Sequence, residues 1–167
     1  MRKIGVLMIG LTAVAAANTA TYQQVCASPA KTLCITYPSA WNRTSIRIER
    51  SKNQEKITAL YAYHQIDADT GFAEGLEASS SPDSAGFKVK TALAEDIQAR
   101  KEILSTVTYS ASGPNWYVIS GTDFRGNIFY SKLVKTDHSL KTLNFLYPSD
   151  NKTYWNKILG TITQGFK

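Results

Sequence analysis

Asp137-His138-Ser139 is the one point where the residue types of a Ser-His-Asp triad stand together. A triad needs three converging groups, one of them buried, whereas neighbours in a polar turn diverge into water. No serine lies in a G-x-S-x-G elbow either, so the tripeptide reads as a turn and no catalytic residue is assigned. His64, with Asp67, Asp69 and Glu74 after it, offers ligand atoms for a metal, but the spacing is wrong. There is no H-x-x-x-H or H-E-x-x-H, and the carboxylates miss the D-x-[DN]-x-[DN]-G order of a calcium loop. His64 is therefore expected to be a half-buried strand histidine, and no metal or cofactor is expected. Glycoside chemistry asks for two carboxylates facing each other across a cleft. Glu49, Glu55, Glu74, Glu77, Glu95, Asp96 and Glu102 all lie in solvated-looking contexts, and nothing singles out a pair.

The two cysteines, Cys26 and Cys34, take their meaning from the segment that precedes them. Arg2 and Lys3 are followed by an uncharged apolar run from Ile4 to Ala17 ending in Ala15-Ala16-Ala17. A basic n-region, a short apolar stretch and small residues at a cleavage point form a secretory signal peptide, and the run is short for a membrane span. Residues 1–17 are expected to be that signal, cleaved after Ala17 or alternatively after Ala20, and 18–167 to be one domain with no transmembrane segment. In the oxidising compartment this implies, periplasmic or extracellular, two cysteines flanking Ser28-Pro29-Ala30-Lys31 predict a disulfide across a hairpin or loop.

The remaining candidate is a contact site. Asp123-Phe124-Arg125 places an aromatic ring in a charged turn, the composition of a tip that touches another protein.

These residues need elements to position them. Leu33 to Tyr37 is β-prone and stops at Pro38. Thr44 to Glu49 alternates, and Lys56 to Ile66 carries Ala59, Tyr61 and Tyr63 on one face and Leu60, Ala62 and His64 on the other, a central strand covered on both sides. Asp67 to Gly86, rich in Asp, Gly and Ser, reads as a long loop. Ala92 to Leu104 reads as a helix capped by Thr91, with Leu93, Ile97 and Leu104 on one side. Four strands follow with short turns between them, starting near Thr106, Trp116, Asn127 and Leu140, which predicts an antiparallel meander. Ser149-Asp150-Asn151 offers N-cap chemistry for a last helix with Trp155, Leu159, Ile162 and Phe166 in a stripe. Strands with segregated helices give an α+β domain, an antiparallel sheet with a helix on each face.

Three stretches of this pattern carry a resemblance: Ile35-Thr36-Tyr37-Pro38-Ser39-Ala40-Trp41, then Asn115-Trp116-Tyr117-Val118-Ile119-Ser120-Gly121, and the ending from Leu146-Tyr147-Pro148-Ser149-Asp150-Asn151-Lys152 through Trp155 and Ile162 to Phe166. Together they resemble small exported bacterial proteins of the Mog1/PsbP-like group, from about Leu33 to Lys167. The resemblance implies an α/β/α sandwich around an antiparallel sheet, and a binding or accessory role. It carries over no catalytic residue.

Composition closes other routes. At 167 residues, 43% hydrophobic and 11% aromatic, the chain is that of one folded domain, and two cysteines are too few for a zinc ribbon or a four-thiolate cluster. Loss of Arg2 and Lys3 leaves 17 basic residues against 13 acidic, a net of +4, scattered without a Lys/Arg block, so nucleic acid is not an expected partner. The function expected is a non-enzymatic exported envelope protein that binds a protein partner, an immunity or inhibitor protein being one form of it. The alternatives are a hydrolase of envelope polymer and a binder of a small ligand or glycan.

Overall fold

The computed structural model describes residues 21–27, 33–41, 43–50, 56–66, 73–83 and 86–166. The expected signal and its cleavage points, the Ser28 to Lys31 turn, Glu55, Asp67 and Asp69 lie outside these residues.

Among the described residues nine strands and two α-helices follow in the order β1 (Tyr22–Cys26), β2 (Cys34–Pro38), β3 (Arg43–Arg50), β4 (Lys56–Ile66), β5 (Ala73–Pro82), α1 (Val89–Glu102), β6 (Thr106–Ser112), β7 (Trp116–Thr122), β8 (Ile128–Lys135), β9 (Ser139–Tyr147) and α2 (Lys152–Gly165). β1 and β2 form a hairpin of their own, and the other strands make one antiparallel sheet in the order β3-β4-β5-β9-β8-β7-β6. The expected meander is the half of the sheet from β6 to β9.

The period-2 alternation of the strands sends side chains to two cores. On one face Leu60, Ala62, Leu76, Ala78, Leu143, Phe145 and Tyr147 meet Trp155, Ile158, Ile162 and Phe166 from α2, and the hairpin adds Leu33, Ile35 and Tyr37. On the other face Tyr117, Ile119, Phe129 and Leu133 meet Val89, with Leu93 and Ile97 of α1 packed against them. The α+β sandwich with one helix per face is therefore present. Each helix, however, serves a different half of the sheet. α2 lies over β4, β5 and β9, and α1 over β6, β7 and β8 on the opposite side.

Four expectations need correction. Asp67 to Gly86 is not one long loop, because Ala73–Pro82 is a strand held between β4 and β9. Its Gly and Ser content hides it: Gly75 is required there, since a Cβ would come within 2.4 Å of the Ala62 carbonyl oxygen. Thr91 does not cap α1, which begins two residues earlier after Lys88. Leu104 is not on the helix's apolar side. It sits beyond the end with φ 59° and 79% exposed, and the amides of Leu104 and Ser105 close the helix onto the carbonyls of Lys101 and Arg100. Finally, Ser149–Asn151 forms a 3₁₀ turn leading into α2, and Asn151 makes no side-chain cap because its amide is engaged with Glu74. In the α2 stripe, Ile158 is buried and Leu159 only packs at the margin.

Candidate functional site

The β1–β2 register sets Cys26 opposite Cys34, and the two are joined in a disulfide with Cα atoms 4.1 Å apart. The staple is thus a rung across a hairpin, as the spacing predicts.

The triad-like tripeptide is a turn. Asp137 and His138 are exposed, while the Ser139 hydroxyl lies 2.8 Å from the Thr136 hydroxyl and the Ser139 amide donates to the same oxygen at 3.1 Å.

His64 and Glu74, each a candidate by its own chemistry, are brought together. The β4–β5 register shifts between Tyr63 and Gln65, and that bulge sets His64 beside Glu74. Glu74, expected in a solvated setting, is instead 2% exposed; it accepts from Trp155 Nε1 at 2.5 Å and Asn151 Nδ2 at 2.9 Å, and His64 Nδ1 lies 3.2 Å from its Oε1. The His64 ring stacks on Tyr154 at 4.7 Å and tilts against Trp41 at 5.9 Å, and Trp41 Nε1 donates to the Tyr154 hydroxyl. A buried carboxylate ringed by three nitrogens and sheathed in aromatic rings ties α2, β4 and β5 together. Its geometry is that of a satisfied polar core.

Asp123, Phe124 and Arg125 form the β7–β8 turn. Asp123 accepts from the amides of Arg125 (2.9 Å) and Asn127 (2.8 Å) and from the Asn127 side chain (3.0 Å), and Gly126 completes the turn at φ 83°. Asp123 is thus the brace of the tip. Phe124 stands 63% exposed above it, with the Arg125 guanidinium 5.1 Å from its ring centroid.

Two concave surfaces occupy the halves of the sheet that the helices leave. Beyond α2, an apolar groove of about 670 Å³ is lined by Tyr109, Trp116, Val118, Tyr130 and Phe166. Lys132 enters it and donates to the Thr163 carbonyl at 3.3 Å, and burial lowers its pKa from the ordinary lysine value. Beyond α1, a trough of about 370 Å³ runs across β4, β5, β9 and β8. Strand register gives it two rows. One is polar, Tyr61-Glu77-Asn144-Ser131, and the next is Tyr63-Gly75-Leu146-Phe129. Arg100 of α1 closes its side, donating to Ser131 Oγ at 3.2 Å, lying 3.6 Å from Asp96 and stacking over Phe129 at 4.5 Å. Ser131 in turn donates to Asn144 Oδ1 at 2.5 Å. Sequence reasoning weighs Glu77 as a carboxylate but misses Tyr61, Asn144, Ser131 and Arg100 as a group. They come from three strands and a helix, and only the register unites them.

The chain is similar to the solution structure of cyanobacterial PsbP (CyanoP) from Synechocystis sp. PCC 6803, with 11% identity over 94% of this chain and 98% of that one and a TM-score of 0.54. The fold is PsbP-like. At that identity the likeness speaks for the PsbP-like architecture alone. No protein-family model and no curated protein matches the chain.

Proposed function

We propose that this PsbP-like chain is an exported accessory protein that binds a protein partner through the β7–β8 tip. One observation carries the reading: Phe124 is held in solvent on a turn braced by three hydrogen bonds to Asp123, with Arg125 over its ring. Holding an apolar ring in water is unfavourable unless something covers it, and aromatic–arginine pairs on rigid supports are typical anchors of interfaces. The Cys26–Cys34 disulfide fits an oxidising compartment, and the Ile4 to Ala17 run supplies the route there.

The test is capture from an envelope extract by the mature protein, alongside a Phe124→Ala/Arg125→Ala variant and an Asp150→Ala control. A protein retained by the wild type and the control, and released by the tip variant, is the expected result. No specific protein, or one held equally by the tip variant, would overturn the reading.

A further inference from the structure

The trough on the α1 side has a composition that neither the tip nor the fold explains. Its floor comes from interior strands that have a neighbouring strand on both sides, so a ligand there meets chiefly side chains. An extended peptide, which would recognise a free strand edge, is thereby disfavoured. The rings of Tyr61 and Tyr63 stack 14° from parallel with centroids 6.1 Å apart, forming one continuous aromatic wall on β4. Across the floor stand a carboxylate (Glu77), an amide (Asn144) and a hydroxyl (Ser131) in a single cross-strand row. Beside them Gly75 lies buried under Tyr63, its missing Cβ admitting the close approach of that ring.

Charge decides the ligand class further. Arg100, the cation that the described residues place at the trough, already lies against Asp96 and donates to Ser131, so among the described residues no unshared positive charge is offered to an anion. What suits a flat aromatic wall facing a row of uncharged and acidic hydrogen-bonding groups is a neutral molecule with one apolar face and hydroxyls around its rim. We propose that the trough binds an uncharged sugar ring, with its C–H face on Tyr61 and Tyr63 and its hydroxyls on Glu77 and Asn144. A volume of about 370 Å³ is at the small end of the range of ligand pockets, which suits one ring or two of a longer glycan.

The test is NMR on the isotope-labelled mature protein with glucose, N-acetylglucosamine and their β-1,4-linked tetramers, and with glycerol and inorganic phosphate as controls. Expected are millimolar or tighter binding of at least one sugar and amide shifts centred on Tyr63, Gly75 and Asn144. Stronger binding of a tetramer than of its monomer assigns the site to a polymer, and equal binding to a free sugar; both support the site. Asn144→Ala and Tyr61→Leu each weaken binding about tenfold, the effect of losing one well-placed contact, while Phe124→Ala leaves it unchanged. Shifts no larger than with glycerol, a preference for phosphate, or shifts centred on Tyr109 and Trp116 would overturn the proposal. Because the shift map of the wild-type protein separates these outcomes by itself, a variant that fails to fold does not blunt the test.

Discussion

At the scale of single residues, Glu74 is the most consequential polar group in the core. Replacing it with Ala leaves the buried indole N–H of Trp155 without its acceptor and removes the partner of the half-buried Asn151 amide. A loss of about 3 kcal/mol in urea unfolding is expected, together with a change in tryptophan emission. Tyr117 governs the alkaline limb. Burial, then the charge of Asp96 and the hydrogen bond to it, raise its phenol well above the ordinary 10.0, and burial raises Tyr130, Tyr147 and Tyr154 as well. The folded protein holds these protons where the unfolded chain releases them, so their stabilisation is complete below pH 10 and is lost as pH rises above it. Lys132, lowered by burial, works in the opposite sense just below 10.5. Melting temperature should fall steeply above pH 10, and less steeply in Tyr117→Phe; identical slopes would remove Tyr117 from the account. Leu104 holds a left-handed φ without being glycine. Leu104→Gly removes that strain and an exposed apolar side chain, and a net gain of roughly 0.5–1 kcal/mol is expected in chemical denaturation.

Elements show where the sequence was transparent and where it was not. The meander was legible because Trp116 to Thr122, Ile128 to Lys135 and Ser139 to Tyr147 alternate against two cores, and tight turns such as Asp123 to Asn127 separate them. The stripe of α2 was legible for the same reason. β5 was not, because Ala-Glu-Gly-Leu-Glu-Ala-Ser-Ser-Ser-Pro has low strand propensity and owes its conformation to neighbours on both sides. The residues on its α1 face, Gly75, Glu77 and Ser79, line or adjoin a polar trough, so the usual apolar signal is missing by construction. The pairing of His64 with Glu74 depended on a bulge, which no spacing rule announces. Two elements can be tested directly. Cys26→Ser/Cys34→Ser should lower stability by about 2.5 kcal/mol on the chain-entropy account, measured with the hairpin's amide exchange as the local readout. Gly121→Ala should cost about 2–3 kcal/mol through overpacking, since its Cβ would fall 1.8 Å from the Thr106 carbonyl oxygen, and protection of the β6 amides should be lost first.

For the whole molecule, the diagonal placement of two short helices on a seven-stranded sheet is the organising fact. Each covers half a face, and the two uncovered halves differ in kind, one apolar around Trp116 and Tyr109, the other polar and aromatic around Asn144 and Tyr61. A net charge of +6 scattered along the sequence without a basic block leaves both surfaces to be defined by local chemistry rather than by a global field. The hairpin of β1 and β2, meanwhile, takes no rung in the large sheet and rests on α2. Trp41 and Tyr154, which close that contact, are 113 residues apart. Chain order then bears on folding order: the hairpin is synthesised well before the helix on which it docks. Until α2 emerges, the hairpin is held by its own backbone pairing and by whatever oxidant reaches Cys26 and Cys34, so local oxidation can precede global folding, with the closing step a non-local and therefore slow one.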